Sequence, residues 1–307
     1  MIRIAYLGPQ GTFSEAALLQ MIGRGLIPEP GQVELVPADE TSLLLENVRA
    51  GVTDYACIPI ENSIDGSISP SMDGLAKGTP VQVFAELTLD VAFSIVVRDG
   101  RAAADVRSVA AFPVAAAQVL HWLRDHLPDA ELVAVSSNAA AAISVAEGHA
   151  DAGVTTRLAV QRYGLVELAT DVVDESNART RFLLAGRPAP PPPRTGADRT
   201  SVVLEIDNRP GALVAAMTEF GIREIDLTRI ESRPTRTELG TYRFFLDCVG
   251  HIDDIAVAEA LKALHRRCAD VRYLGSWPIG SATGAAPPGM DEATRWLERL
   301  RNGDTSP

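Results

Sequence analysis

Three short segments of the chain hold polar side chains in patterns that suit chemistry. Residues 8–17 read GPQGTFSEAA, residues 57–70 read CIPIENSIDGSISP, and residues 176–185 read SNARTRFLLA. Each segment lies where a predicted strand meets a turn or a helix, and α/β folds bind ligands at the carboxyl ends of strands. The sequence therefore predicts a ligand site built from such junctions.

The first segment could bind an anion. Gly8 and Gly11 permit a tight turn, and the N-terminus of the following helix offers free N–H groups. The G-x-x-G spacing is not a dinucleotide fingerprint, and Pro9 lacks an N–H donor. A structural interpretation is also open, because Thr12 and Glu15 have the spacing of a capping box.

The second and third segments combine possible acids with hydrogen-bond donors. Glu61 could act as an acid or orient a carbonyl, and Asn62 could donate to a carboxylate, with Ser63 beside them. In a dry cleft the Thr180 hydroxyl could donate directly to a leaving oxygen, and Arg181 suits a bidentate bond to a carboxylate. An ordinary polar loop and an ordinary strand start remain the structural alternatives.

Two further segments are ambiguous by themselves. Ser136, Ser137 and Asn138 precede an alanine-rich helix, so they form a cap that also directs a helix N-terminus towards a cleft. In the C-terminal part, Gly211 starts a helix after a turn, and residues 230–234 end the next strand. We expect these last two segments to meet at neighbouring ends of a sheet and to form a niche the size of an amino acid.

The surrounding pattern predicts two domains and a tail. Residues 1–185 alternate strand and helix signals, which favours two α/β lobes joined by a crossover near residues 81–97. Residues 186–199 include four consecutive prolines and form a semi-rigid linker. Residues 200–280 have the order βαββαβ of a ferredoxin-like module, and residues 281–307 form a tail with a short amphipathic helix.

Composition limits the classes of function. The 307 residues include 28 basic and 40 acidic side chains, a net charge of −12, which argues against binding nucleic acid or an anionic membrane. Lys77 and Lys262 are the only lysines, which leaves little room for P-loop or Schiff-base chemistry. No apolar run reaches the roughly 18 residues that span a bilayer. The chain has an odd number of cysteines, Cys57, Cys248 and Cys268. Their number and wide spacing indicate reduced, mostly buried thiols and a cytoplasmic protein.

Taken together and in this order, the motifs resemble those of the prephenate dehydratase family joined to an ACT regulatory domain. The resemblance covers residues 2–279. It implies a two-lobed catalytic domain similar to type 2 periplasmic binding proteins, followed by a ferredoxin-like ACT domain. The implied reaction removes water and carbon dioxide from prephenate to give phenylpyruvate, with feedback by phenylalanine. It also implies a homodimer or homotetramer and no metal or organic cofactor.

The resemblance assigns expected roles to particular residues. The implied catalytic residues are Thr180, Glu61, Asn62 and Ser63. The implied substrate-binding residues are Thr12, Ser14, Arg181, Phe182, Gln118 and Ser137. The implied phenylalanine-binding residues are Gly211, Ala212, Leu213, Glu231, Ser232, Arg233 and Pro234.

Two departures from the family pattern and two other functions need consideration. Residues 111–114 read AFPV where the family often has Ser-His-Pro-Gln, so we expect another hydroxyl, such as that of Ser137, to replace the serine. Asp226 stands where an asparagine is common, which should put a charge near the effector niche. Arogenate dehydratase is the alternative enzyme. A non-catalytic amino-acid-sensing protein is the other class, and the absence of a signal segment counts against it.

Overall fold

A computed structural model describes residues 1–29, 31–175, 177–236, 238, 240–279 and 292–303. Most of the predicted tail, residues 281–291 and 304–307, and Ser176 in the third motif lie outside these ranges. The chain divides into two compact units. The first comprises Met1–Gly74 with Leu87–Arg187, and the second comprises Leu75–Glu86 with Pro188–Pro307.

Strands and helices alternate through the N-terminal part of the chain. The strands are β1 (Ile2–Leu7), β2 (Val33–Ala38), β3 (Tyr55–Asn62), β4 (Gly66–Ser67), β5 (Gln82–Asp90), β6 (Phe93–Val97), β7 (Ser108–Ala111), β8 (Glu131–Ala134), β9 (Ala152–Thr155), β10 (Val166–Val172) and β11 (Arg179–Gly186). The helices are α1 (Phe13–Gly23), α2 (Thr41–Arg49), α3 (Ser69–Ala76), α4 (Pro113–Gln118), α5 (Leu120–His126), α6 (Asn138–Ala146) and α7 (Arg157–Tyr163), with a 3₁₀ turn at Ala103–Asp105.

These strands form two sheets, one in each lobe. The first sheet has the order β2-β1-β3-β11-β5, with β4 paired to β3, and the second has the order β10-β6-β9-β7-β8. The strands β1, β2 and β3 are parallel, whereas β11 returns antiparallel to β3. The chain passes from the first sheet to the second between β5 and β6, where the sequence predicted the crossover. The predicted α/β class is confirmed.

Apolar strands explain why each lobe has its own core. In the first lobe Ile4, Tyr6 and Ile58 are fully or almost fully buried, because parallel strands covered on both faces need apolar side chains on both. In the second lobe Phe93 and Val154 belong to a buried cluster beneath α4 and α5. The polar residues at the strand ends are therefore held on rigid supports.

The second unit contains the predicted βαββαβ order. Its elements are β12 (Asp198–Glu205), α8 (Ala212–Gly221), β13 (Leu227–Pro234), β14 (Tyr242–Val249), α9 (Ile255–Arg267) and β15 (Asp270–Pro278), followed by α10 (Glu292–Arg301). The antiparallel sheet has the order β13-β14-β12-β15. Its core joins Leu204 and Leu246 of the sheet to Phe220 of α8 and Leu264 of α9. The part of the linker without regular structure is limited to residues 187–197.

A buried ion pair holds the start of β5 within the second unit. Arg199 donates to both carboxylate oxygens of Glu86, at 2.8 and 2.6 Å, and the indole nitrogen of Trp277 donates to one of them at 3.0 Å. The Arg199 and Glu86 side chains are each only 10% exposed. Residues 75–86 are thus an integral part of this unit, although they precede it by about a hundred residues in sequence.

Glu86→Ala should strongly destabilise the second unit. Breaking a buried ion pair leaves an uncompensated charge and costs about 3–5 kcal/mol. The matched control is Glu259→Ala, which removes an exposed pair with Lys262 and should cost less than about 1 kcal/mol. Urea unfolding followed by the fluorescence of buried Trp277 measures both free energies. Equal losses in the two variants would contradict the role given to Glu86.

Candidate functional site

A cavity of about 500 Å³ lies between the two sheets of the first unit. It forms at the carboxyl ends of β1 and β2 in one lobe and of β7 and β8 in the other. Its lining consists of Leu7, Gly8, Thr12, Phe13, Ser14, Asp39, Glu40, Thr41, Ser42, Pro70, Phe112, Ser136, Ser137 and Asn138. Its volume lies within the roughly 300–1,000 Å³ of small-molecule sites.

Several helices begin at this cavity. The N-cap residues in its lining include Thr12 for α1, Glu40 for α2, Phe112 for α4 and Ser137 for α6. The Thr12 hydroxyl accepts from the Glu15 amide at 3.4 Å, and the Ser137 hydroxyl accepts from the Ala140 amide at 3.0 Å. Thr12 and Ser137 therefore both cap a helix and line the cavity. Helix N-termini favour negative charge, whereas the Asp39 and Glu40 carboxylates in the same lining oppose it.

The capping box predicted for α1 is only half formed. Thr12 caps the helix as expected, but the Glu15 carboxylate accepts a hydrogen bond from the Gly11 amide rather than from that of Thr12. The Thr12 hydroxyl also donates to the carbonyl of Leu7 at 2.8 Å, which secures the same turn.

Thr180 and Asn62 form a second cluster where β11 begins and β3 ends. They are register partners, and the Asn62 side-chain amide donates to the Thr180 hydroxyl at 3.1 Å. The Asn62 carbonyl oxygen accepts from the Ile64 and Asp65 amides at 2.8 and 3.0 Å. Asn62 therefore holds a turn with one end of its amide and orients the threonine with the other.

The Ser63 hydroxyl is engaged with backbone groups. It donates to the carbonyl of Asn177 and accepts from the amide of Arg179, both at 2.9 Å. These bonds secure the residues that lead into Thr180. Ser63 thus positions β11, which differs from the chemical role expected for it.

The two clusters share one edge of the first sheet. Because β3 is parallel to β1, the Asn62 end of β3 lies on the same side as Gly8. The last residue of β3 that pairs with β1 is Cys57, and β3 continues for five more residues to Asn62. Since Thr180 of β11 pairs with Asn62, Thr180 lies beyond the end of β1. Neither Thr180 nor the 61–63 segment is among the described residues that line the cavity.

Three predicted substrate-binding residues also lie outside the lining. Phe182 is 1% exposed and belongs to the core, so it cannot contact a ligand in this conformation. Arg181 is half-buried opposite Glu61 in the strand register. Gln118 is 6% exposed, and its side-chain oxygen has no hydrogen-bond partner among the described residues. Of the six predicted, Thr12, Ser14 and Ser137 do line the cavity.

Sequence reasoning missed several lining residues. Asp39 directly follows β2, and Thr41 and Ser42 start α2, so the rule that selected the other strand ends could have found them. Phe112 forms part of the cavity wall, and it belongs to the 111–114 segment that departs from the family pattern. Ser137 is in the same lining, and its replacement of the family's serine stays a prediction.

Two titratable side chains beneath the first motif stay neutral. Burial, and then the Glu15 carboxylate, raise the pKa of the Tyr6 phenol to about 12. Burial also raises the pKa of the Cys57 thiol well above its usual range. Neither group can exchange protons near neutral pH, so acid–base chemistry must come from elsewhere.

The second unit has a smaller cavity, of about 130 Å³, at one end of its sheet. It is lined by Ile206, Asp207, Asn208, Arg209, Ala212, Leu213, Gly240, Thr241, Tyr242 and Phe244. Gly211 caps α8 with φ +80°, in the left-handed region that favours glycine. The predicted Ala212 and Leu213 line the cavity. Its volume is below the usual range of small-molecule sites.

Residues 231–234 are not among the described residues that line this cavity. Arg233 pairs with Arg243, which in turn pairs with Glu205, so both segments reach the same end of the sheet. Tyr242 and Phe244 of β14 line the cavity, and they are the register partners of Pro234 and Ser232. Asp226 lies at the opposite end of β13, so the expected charge beside the niche is wrong for a single chain.

Three further features complete the description of the structure. No helix among the described residues is long and apolar enough to cross a membrane. Within the same residues, no group of three or more His, Cys, Asp or Glu side chains is arranged to hold a metal ion. On α10, Trp296, Leu297 and Leu300 are exposed.

Together these features define a class: a two-lobed α/β domain with a cavity between its lobes, followed by a ferredoxin-like module. Residues 4–190 match the family model described as prephenate dehydratase, and residues 200–266 match that of the ACT domain. The chain belongs to the prephenate dehydratase family. It is an enzyme of the carbon–oxygen lyase class.

Similar proteins cover the whole chain. A prephenate dehydratase of Mycobacterium sp. strain JLS is 68% identical over 314 residues, covering 100% of this chain and 98% of the relative. That of Mycobacterium tuberculosis strain H37Rv is 69% identical over 305 residues, covering 99% and 95%. The crystal structure of the Arthrobacter aurescens prephenate dehydratase in complex with L-Phe is 36% identical, with TM-score 0.87, covering 98% and 100%.

Asn62→Asp should separate the two contacts of this side chain. Aspartate keeps an oxygen for the Ile64 and Asp65 amides but replaces the donor to Thr180 by an acceptor. The carboxylate would then take the threonine hydrogen, and we expect dehydratase turnover to fall about 10-fold or more at an unchanged melting temperature. Asn302→Asp is the control for the added charge. Wild-type turnover in Asn62→Asp would show that Thr180 does not depend on Asn62.

Proposed function

We propose that this enzyme converts prephenate into phenylpyruvate, water and carbon dioxide, and so supplies phenylalanine biosynthesis. The observation that carries the proposal is the hydrogen bond from Asn62 to Thr180, at the sheet edge where the larger cavity opens. The names of the relatives agree with it. The three free cysteines, two of them buried, fit the reducing cytoplasm, where we expect the enzyme to act.

The reaction requires positioning and one proton. The bond between the ring and its carboxylate breaks, and its electron pair completes the aromatic ring as carbon dioxide leaves. The ring hydroxyl departs with the donated proton as water. Because aromatisation supplies the driving force, a correctly placed donor and a fixed substrate geometry suffice.

The cavity suits the two carboxylates of prephenate in different ways. The N-termini of α1, α2 and α6 favour the carboxylate that is retained. Leu7, Phe13, Pro70 and Phe112 give the same cavity apolar walls. A leaving carboxylate against such walls is poorly solvated in the ground state, and it loses that penalty as its charge moves into the ring.

Thr180 is the proposed proton donor. Its oxygen accepts the Asn62 N–H, so its own hydrogen is directed to another acceptor. A threonine that accepts a hydrogen bond is a better donor, because the bond stabilises charge that develops on its oxygen. Only 8% of the residue is exposed, so competing water is scarce. The hydroxyl recovers its proton from solvent after each turnover.

Thr180→Ala should reduce turnover by about 10²–10⁴-fold, the usual contribution of a positioned acid, while KM changes little. Thr180→Ser retains the hydroxyl and should keep a large part of the activity. Phenylpyruvate absorbance in alkali measures both variants with prephenate as the substrate. Unchanged turnover in Thr180→Ala would refute the role, and wild-type turnover of arogenate without turnover of prephenate would refute the substrate.

We also propose that phenylalanine binds the ACT domain and inhibits the enzyme. The small cavity offers the α8 N-terminus for a carboxylate and Asp207 for an ammonium group. A second copy of the chain would complete it by presenting residues 231–234. Val214, Ile222 and Ile230 leave large apolar side chains 68%, 66% and 49% exposed, which suits such an interface in a homodimer or homotetramer.

Gly211→Ala should weaken phenylalanine inhibition and spare basal activity. A side chain at φ +80° strains the backbone that leads into the effector cavity, by about 1–2 kcal/mol. Ser232→Ala should also weaken inhibition, since it alters the segment offered by the partner copy. Gly221→Ala, at the other end of α8, is the control and should leave inhibition unchanged. Dose–response curves of turnover against phenylalanine concentration measure the inhibition of each variant. Full inhibition of both test variants would place the effector site elsewhere.

A further inference from the structure

Helix α7 of the second lobe contacts the first motif of the first lobe. Arg162 donates to the Glu15 carboxylate at 2.6 Å and also to the side chain of Gln10. The Tyr163 hydroxyl donates to the Gln10 carbonyl at 3.2 Å. These four residues are not among the described residues that line the cavity, so their contacts serve another purpose.

The N-terminus of α7 makes the closest approach. Thr156, which is 2% exposed, donates from its hydroxyl to the Gly11 carbonyl at 2.5 Å. Gly11 has φ +92°, and a Cβ atom there would lie 3.0 Å from the Cβ of Ala159. Only glycine lets the two lobes come this close at this turn.

Glu15 connects these contacts. One carboxylate oxygen accepts the Gly11 amide and the other accepts Arg162. The Glu15 side chain is 4% exposed, so its charge is compensated by a residue of the opposite lobe. Since both oxygens are occupied, Glu15 is not a proton donor for the reaction. We call Gly11, Glu15, Thr156 and Arg162 the inter-lobe latch.

We propose that Arg162 is a positioning residue for the dehydratase reaction. Through Glu15 it holds the 8–14 turn, one wall of the cavity, against the lobe that contributes Ser137 to the other wall. A single prephenate can then contact both walls at once. This inference rests on the proposed function, but the latch itself is a physical contact that can be measured without substrate.

Loss of the latch should affect KM rather than kcat. If only a fraction of the enzyme has its walls correctly spaced, the apparent dissociation constant rises by the inverse of that fraction. Substrate at saturation restores the spacing, because it binds both walls. Arg162 does not line the cavity, so the chemical step in the closed complex keeps its rate.

The test compares Arg162→Gln, Arg162→Lys and the control Arg157→Gln, which changes an exposed arginine on the same helix. We expect Arg162→Gln to raise KM for prephenate about 10-fold or more with kcat within about 3-fold. Arg162→Lys keeps the charge facing Glu15, so it should fold normally and recover much of the wild-type KM. Unchanged KM, a fall in kcat alone, or an equal effect in Arg157→Gln would overturn the proposal.

A second measurement is independent of activity. Hydrogen exchange followed by mass spectrometry should show faster exchange over residues 8–16 in Arg162→Gln, because the Gly11 amide loses a fixed acceptor when Glu15 loses its partner. Exchange in β14 should stay at the wild-type rate. Equal protection of residues 8–16 in the variant and the wild type would refute the latch. Absent prephenate turnover in the wild type would instead refute the proposed function and leave this result standing.

Discussion

The antiparallel register of β3 and β11 is the constraint on which the candidate active site depends. It sets Thr180 beside Asn62, although the two residues are 118 positions apart in the chain. The hydrogen bond from the Asn62 side-chain amide to the Thr180 hydroxyl then directs the threonine hydrogen. The whole second lobe is inserted between these strands. A pairing this distant forms only when the first sheet accepts its last strand, so the proposed proton donor is in place only in a completed fold.

Charge is the second constraint, because the chain and its proposed substrate are both negative. At physiological ionic strength the field of a net charge of −12 is screened within about 8 Å. The helix N-termini at the cavity act inside that distance, and their backbone N–H groups need no cationic side chain. Under the proposed function, the apolar walls between them leave one carboxylate of the substrate poorly solvated, which favours its decarboxylation.

A single turn, residues 8–15, serves several purposes at once. Thr12 starts α1, Gly8 and Ser14 line the cavity, and Gly11 with Glu15 meets the opposite lobe. Each purpose requires a particular residue type: a hydroxyl for capping, no side chain for close approach, and a carboxylate for the charged partner. The density of small and polar residues in this motif follows from these combined demands rather than from catalysis alone.

Residues close to one another in the sequence determined many of the structural elements of this protein. Strand and helix order, the caps at Thr12 and Ser137, the crossover, the βαββαβ module and the family motifs all follow from residues near one another in the chain. Only tertiary structure decided that Phe182 belongs to the core, that the Ser63 hydroxyl bonds backbone groups, and that residues 231–234 pair with the part of β14 that lines the smaller cavity. Those outcomes depend on strand register and on which strands become neighbours. Both are set by pairing between distant segments, and a side-chain period of two leaves them undetermined in any one segment.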